Sequence, residues 1–398
     1  MEYPYDEIEK EYRRLKRKIH TSPILQEDSL LMEIEDFGRQ YGDMKKYYNT
    51  LKRKFWWHRK IHPRNISIGR APVEWSEQQT PLVSVIVPNY GHAAFLSERI
   101  DSILCQTFQN FELIILDDCS PDGSRDIIAK YNNHPRVAQI VFNEENSGNT
   151  FLQWERGIAL ARGKYIWIAE SDDYADEVFL DSAMAMFFLH EDCVMVRTGS
   201  YLVNEKGRIM LKDWDWWKED ESVRYYRGED YIRHNMLHFN FIYNASMVVF
   251  RKDVFGQIDK SYQRLRFAGD WLCWIEMLTQ GPICEMHRKL NYFRQHQNKV
   301  SVRSSSTSRG IIDQIRVLAY TIRKIRMSPF RRMMVRGEQY EASVKWFYYG
   351  HDFAMKKECL MVLHNELNAT SRDYMWYKII SKLDFLPFIP SRKNDKYK

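Results

Sequence analysis

The chain has 398 residues, too many for one small core and enough for two or three units of about 100–200 residues each. Hydrophobic residues make up 44%, which supplies a real core, and aromatics reach 14%, an abundance that suits sugar-stacking surfaces or a membrane interface as well as plain packing. The net charge of +6, from 59 basic and 53 acidic residues, is too mild to indicate a nucleic-acid partner, yet compatible with an anionic membrane surface.

The start, MEYPYDEIEKEYRRLKRK, is charged and lacks the apolar stretch of a signal peptide. Residues 1–62 read as a helical extension. Leu30, Ile34, Phe37, Tyr41, Met44, Tyr48, Leu51 and Phe55 repeat in steps of four and three, a heptad seam that Gly38 and Gly42 weaken. The seam implies a coiled-coil homodimer, with packing on the chain's own following domain as the alternative. LKRKFWWHRK (51–60) mixes basic and bulky aromatic residues like a membrane-surface anchor, or like a solvated face with a few core aromatics. Residues 63–80, with Pro63, Gly69 and Pro72, read as a linker.

From residue 81 strands alternate with helices. LVSVIV (82–87), FELIIL (111–116), RVAQIVF (136–142) and KYIWIA (164–169) are apolar runs of strand length. Residues 92–106, 124–132 and 148–161 read as helices between them. This alternation predicts an α/β fold built on a mostly parallel sheet with helices on both faces. Such sheets bind ligands beyond the carboxyl ends of their strands. Polar clusters follow all four strands: Pro88-Asn89-Tyr90, Asp117-Asp118, Asn143–Asn149, and Glu170–Asp173. Residues 200–300 are mixed. SSSTS (304–308) reads as a loop and a candidate lid, and residues 304–398 as a basic amphipathic helical region, with Ile311, Ile315, Leu318, Ile322 and Ile325 on one face. No run of 18 apolar residues occurs. Six scattered cysteines without a C-x-x-C pair fit reduced thiols in the cytoplasm.

Four carboxylates, Glu170, Asp172, Asp173 and Asp176, stand within seven residues at the end of the fourth strand and repel one another. A divalent cation would offset that repulsion, since Mg²⁺ is typically held by one or two carboxylates plus substrate phosphates. A helix N-cap is the competing reading of Ser171-Asp172, and Glu170 and Asp176 are expected to face solvent or cap structure. A carboxylate at Asp117-Asp118 could accept an imide N–H from a pyrimidine base. Asp270 opens an apolar helix, where the helix N-terminus favours the ionised form, and could take a proton from a sugar hydroxyl. Trp271 and Trp274 beside it could stack on a sugar ring or sit in the core. Neither G-x-G-x-x-G nor a P-loop pattern is present.

The blocks VSVIVPNYGHAAFLSERIDSILCQTFQNFELIILDDCSPDGS, NSGNTFLQWERGIALARGKYIWIAESDD, FAGDWLCWIEML and YFRQHQNKVS, in that order, resemble a family 2 glycosyltransferase with the GT-A fold, over residues 81–303 as its catalytic domain. The resemblance implies a nucleotide-diphosphate sugar donor, UDP- or dTDP-linked, and an inverting, Mn²⁺- or Mg²⁺-dependent transfer. It implies Pro88, Tyr90, Asp118, Asn149 and Asp172 around the nucleotide sugar, Asp173 and His296 on the metal, and Asp270 as catalytic base. Trp271 and Trp274 would lie on the acceptor side. The chain has E-S-D-D where a literal D-x-D would stand. Asp213-Trp214-Asp215 is a literal match without a long buried strand before it, hence a decoy. The acceptor would be a glycan, lipid-linked in bacterial surface polysaccharide synthesis, with the enzyme peripheral to the inner face of the cell membrane. The rival readings are a nucleotidyltransferase, for which PNYGHAAF lacks a basic residue, and a membrane-bound scaffold without activity.

Overall fold

The computed structural model describes Arg14 and residues 80–210, 219–220, 222–296, 309–349 and 353–381. The chain forms two compact units, Met1–Ser76 and Glu77–Lys398. In the first, only Arg14, exposed and helical, is described. The heptad seam, the 51–60 aromatic–basic stretch, the linker up to residue 79, Asp213-Trp214-Asp215, the 304–308 loop and the tail beyond 381 lie outside the described residues.

In the second unit the expected alternation is present. Strand β1 (Val83–Asn89), helix α1 (Ala93–Leu104), β2 (Phe111–Asp117), α2 (Ser124–Ala129), β3 (Val137–Phe142), α3 (Thr150–Leu160) and β4 (Tyr165–Ile168) follow one another. The strands β1, β2 and β4 are buried throughout, because helices cover both faces and no residue of a β-branched or aromatic run needs to face water. The sheet continues with β5 (Tyr174–Ala175), β6 (Met195–Val203), β7 (Val223–Tyr226), β8 (Val248–Arg251) and β9 (Ile283–Arg294). Strand order is β3-β2-β1-β4-β8-β6-β9-β5, with β7 also pairing β9.

The first four strands are mutually parallel. Strand β8 runs antiparallel to both β4 and β6, and β6 pairs in parallel with β9. The mixed half of the sheet thus comes from the stretch whose pattern gave no clear period. Close helix-to-sheet packing is set by Gly157 of α3, where an added Cβ would stand 2.4 Å from Ile86 Cγ2.

Between residues 179 and 280 come α4 (Phe179–Leu189) and α5 (Gly269–Gln280). After residue 309 the chain is helical: α6 (Arg309–Lys324), α7 (Pro329–Tyr349), α8 (Phe353–Asn365) and α9 (Ser371–Ile380). The apolar stripe of α6 is buried through Ile312, Ile315, Leu318 and Ile322, while Arg316 and Arg323 face outward. Those residues belong to one hydrophobic core with Trp271, Ile275 and Leu278 of α5 and with Ile86 and Ile166 of the sheet. Among the described residues no helix is long and apolar enough to cross a membrane.

Candidate active site

The carboxyl ends of β2, β1 and β4 lie side by side, and hydrogen bonds stitch their loops together. Asn89 Nδ2 donates to Asp117 Oδ1 at 2.8 Å and to Ser120 Oγ at 3.0 Å. Gly91 N also donates to Ser120 Oγ, and Ala93 N to Asp122 Oδ2. Gly91 turns the chain with φ +72°, a left-handed conformation that favours glycine. That turn delivers His92 beside the end of β4, where its Nδ1 lies 2.8 Å from Ser171 Oγ.

The two adjacent aspartates after β4 have different fates. Asp173 is 0% exposed. Its Oδ2 accepts from Asn244 Nδ2 at 2.7 Å and Ser246 Oγ at 2.8 Å, and its Oδ1 from the Arg294 backbone N–H at 2.9 Å. A carboxylate enclosed by three donors holds the fold together. The metal ligation expected of Asp173 therefore does not fit its surroundings.

Asp172 instead meets His296, whose Nε2 is 2.9 Å from Asp172 Oδ2. His92, Asp172 and His296 each bring a ligand atom, all within 4.8 Å of one another. Ligands about 2.1 Å from one ion stand roughly 3 Å apart when adjacent, so the Asp172–His296 spacing suits a shared cation. Two imidazoles with one carboxylate favour a transition-series ion such as Mn²⁺ over Mg²⁺, which prefers oxygen alone. The ring of His296 is packed at 5.4 Å from His92 and 5.2 Å from Phe95. Arg294, almost fully buried, holds this loop from below: its Nε donates to Asp172 O at 2.8 Å, and its guanidinium reaches Glu98 and Glu205 O.

Glu170, expected to face solvent or cap structure, is only partly exposed and turns its carboxyl inward. Its Oε1 accepts from Trp154 Nε1 at 2.9 Å. Burial, with the Asp172 charge second, pushes its carboxyl up to about 8, so it carries a proton at neutral pH. Arg99 of α1 is fully buried, stacked 4.8 Å over the Trp167 ring, with no hydrogen-bond acceptor for its guanidinium among the described residues. Burial lowers it to about 10 while the charges of Asp173, Asp172 and Glu170 pull the other way. The acids at this strand end are thus made compatible by a neutral Glu170, a donor-filled nest for Asp173 and a buried cation behind them. Asp176 caps structure as expected, its Oδ1 accepting from Val178 N.

Asp118, after β2, is also held by several donors. Its Oδ1 accepts from Asn143 Nδ2, Ser147 N and Gln153 Nε2, and its Oδ2 from Ser147 Oγ at 2.7 Å. Three of these donors crowd Oδ1 and one meets Oδ2, so Oδ2 keeps a lone pair that a base N–H could use. Asn149 is the N-cap of α3, accepting from Phe151 N and donating to Gln263 O. Pro88 is buried within β1, whereas the Tyr90 ring is 49% exposed at the strand end.

Asp270 stands in the first turn of α5, half-buried, with Oδ1 accepting from Trp271 N at 2.8 Å and Oδ2 from Asn240 Nδ2 at 3.0 Å. Burial outweighs these bonds and raises its carboxyl to about 6, the reverse of the expected effect of a helix N-terminus. Trp271 and Trp274 are core residues and offer no ring to a sugar. Trp271 Nε1 donates to Met236 O, and Trp274, 0% exposed, packs on Trp154 and Phe250. Their spacing on α5 faces the sheet, which an isolated G-D-W motif does not reveal. His92, Arg99, Asn240 and Arg294 were not singled out from the sequence. Of these only His92 carried a signal, its position in the turn after a buried strand.

Residues 84–258 match the family described as Glycosyl transferase family 2, so the chain carries a domain similar to that family. It is a glycosyltransferase of the class that uses nucleotide sugars. Over 222 residues, 56% of this chain and 82% of the relative, it is 29% identical to the putative teichuronic acid biosynthesis glycosyltransferase TuaG of Bacillus subtilis. Over 101 residues, 25% of this chain and 33% of the relative, it is 36% identical to the glycosyltransferase GlyG of Streptococcus pneumoniae. The fold is similar to that of S. aureus TarS 1-349 in complex with UDP-GlcNAc, with TM-score 0.58 and 18% identity over 76% of this chain and 84% of that one.

Proposed function

We propose that the protein transfers a sugar from a UDP- or dTDP-sugar to a glycan hydroxyl with inversion, assisted by a divalent cation. The observation that carries this reading is the His92–Asp172–His296 cluster at the carboxyl edge of a parallel sheet. Those three residues would hold Mn²⁺ or Mg²⁺, with Mn²⁺ favoured by the imidazoles, and a cation there would offset charge developing on the diphosphate. Ser171 orients His92, and Arg294 fixes the backbone of Asp172. Tyr90 offers an exposed ring for the base, and Asp118, which orders the 143–149 loop, keeps a lone pair on Oδ2 for a base N–H.

Asp270, with a carboxyl near 6, is about nine-tenths ionised at pH 7. It would accept the proton of the acceptor hydroxyl as that oxygen attacks the anomeric carbon opposite the departing nucleoside diphosphate. One displacement of this kind inverts the configuration. Asn240 steadies the carboxylate that receives the proton.

The donor class is supported by the UDP-GlcNAc bound to TarS, and a surface-polysaccharide product by the name of TuaG. A lipid-linked acceptor and a place on the inner face of the membrane fit helix α9, where Met375, Trp376 and Ile379 are exposed alongside Arg372 and Lys378. The test is thermal unfolding with UDP, dTDP, GDP or CDP, with and without Mn²⁺, in wild type and Asp172→Asn. Ligand at 100 times its dissociation constant adds about 2.7 kcal/mol, a shift of a few degrees. A metal-dependent shift with one uracil or thymine nucleotide, lost in the variant, is expected. No shift with any nucleotide would overturn the donor assignment.

A further inference from the structure

Away from the catalytic edge, α6, α7 and the α8–α9 link form a partly open cavity of about 280 Å³. Three arginines line it, Arg323 from α6 and Arg332 and Arg336 from α7, together with Glu366, Leu367 and Asn368. Two of the arginines have a part in the fold. Arg323 Nη1 donates to Glu366 O at 3.0 Å and Arg336 Nε to Leu367 O at 2.9 Å, so both cover carbonyls at the C-terminal end of α8. Asn368 terminates that helix in the left-handed region, φ +54°. Each of these bonds uses one of the five N–H donors of a guanidinium.

Arg332 is different. Its Nε is buried and finds no acceptor among the described residues. A buried, charged donor without a partner costs free energy, and three guanidinium groups around one small space repel one another. Glu366 offsets only part of this, because its carboxylate pairs with Arg316 at 3.2 Å, a residue that does not line the cavity. The lining carries three positive charges against one negative. The excess of two matches a phosphate group, which carries about −1.5 to −2 at neutral pH, better than a carboxylate. Arginine forks suit its tetrahedral oxygens. At about 280 Å³ the cavity lies at the lower end of the range for ligand sites, about 300–1,000 Å³, and has room for a phosphate group. The sequence supplies the same bias: from Arg323 to Arg336 there are six basic residues and no Asp or Glu.

We propose that this arginine-lined cavity binds a phosphate group, from inorganic phosphate or from the headgroup of an anionic lipid. The site is independent of the donor site. It is tested on the full chain by calorimetric titration with inorganic phosphate, and by co-sedimentation with phosphatidylcholine vesicles with or without phosphatidylglycerol. Wild type is compared with Arg332→Gln and with Lys357→Gln, a charge-matched change at an exposed position outside the cavity. Saturable phosphate binding weakened at least tenfold in Arg332→Gln alone is expected if the source is free phosphate. Binding only to phosphatidylglycerol vesicles, with the same dependence on Arg332, assigns the headgroup. Absence of both, or an equal loss in Lys357→Gln, overturns the proposal. Should Arg332→Gln fail to fold, Arg332→Lys keeps the charge without the fork, and a smaller loss of the same kind is expected.

Discussion

Asp270 pits stability against activity. Its folded carboxyl lies near 6, above the ordinary value near 3.9, so the folded state favours the protonated form. The stability this contributes is complete below about pH 4 and is lost as pH rises through 6. An Asp270→Asn variant, which keeps the bond from Trp271 N, should therefore match wild type at pH 4. Above pH 6 it should be more stable by roughly 2–3 kcal/mol, since each tenfold change in proton affinity is worth about 1.4 kcal/mol. Chemical denaturation at both pH values measures this, and sugar transfer by the same variant should drop by about 10²–10⁴. Asn240→Ala removes a bond that lowers this carboxyl, so the acidic limb of kcat/KM should move to higher pH. An unmoved limb would mean that another group titrates there. The neighbouring aspartates separate in the same way. Asp172→Asn should keep its melting temperature in chelator and lose the metal-induced rise. Asp173→Ala should lose about 3 kcal/mol or more, because it strands three buried donors. The sequence marked this strand end as acidic and functional, but it could not say which aspartate meets the histidines. That depends on Asn244, Ser246 and Arg294, which reach the site from other elements.

At the scale of elements, apolar period was informative where one rule applied throughout. The four continuous runs became β1 to β4, and the isoleucine stripe of α6 became its buried face. Legibility failed for β6 to β9, where the sheet turns mixed and buried polar residues such as Arg197, Asn291 and Arg294 interrupt the apolar runs. It failed also for α5, because Trp271 and Trp274 read equally well as stacking or packing rings. The contact of α3 with the sheet gives a direct test. Gly157→Ala would place its methyl 2.4 Å from the Ile86 side chain and 3.1 Å from that of Leu116. A loss of about 1–3 kcal/mol is expected, as for other overpacked cores, although alanine is the better helix former. A neutral or stabilising result in denaturant would show that Ile86 gives way freely.

For the whole second unit, the helices after residue 309 cannot be treated as an appendage. Ile312, Ile315, Leu318 and Ile322 share a core with α5, and Tyr320 and Lys324 both reach Glu276 on that helix. A chain ending at residue 308 would expose this apolar face of α5, the helix that carries Asp270. It is expected to aggregate, or to be inactive with a broadened thermal transition, whereas a chain ending at 381 should keep donor binding. Size-exclusion chromatography and nucleotide-dependent melting distinguish these outcomes. A soluble, cooperative protein ending at 308 would show that the sheet supports α5 alone.

The grip of β9 on the β4 loop also has a temporal consequence. The bonds from Arg294 and His296 to Asp172 and Asp173 join residues 121 to 124 positions apart. Proteins emerge from the ribosome N-terminal end first, at about 5–20 residues per second. The parallel half of the sheet is available early, but its ligand-bearing loop has no fixed form until β9 has been translated. A nascent chain therefore spends several seconds with its central strands made and its acidic loop unclamped, and this centre orders only after β9 has emerged.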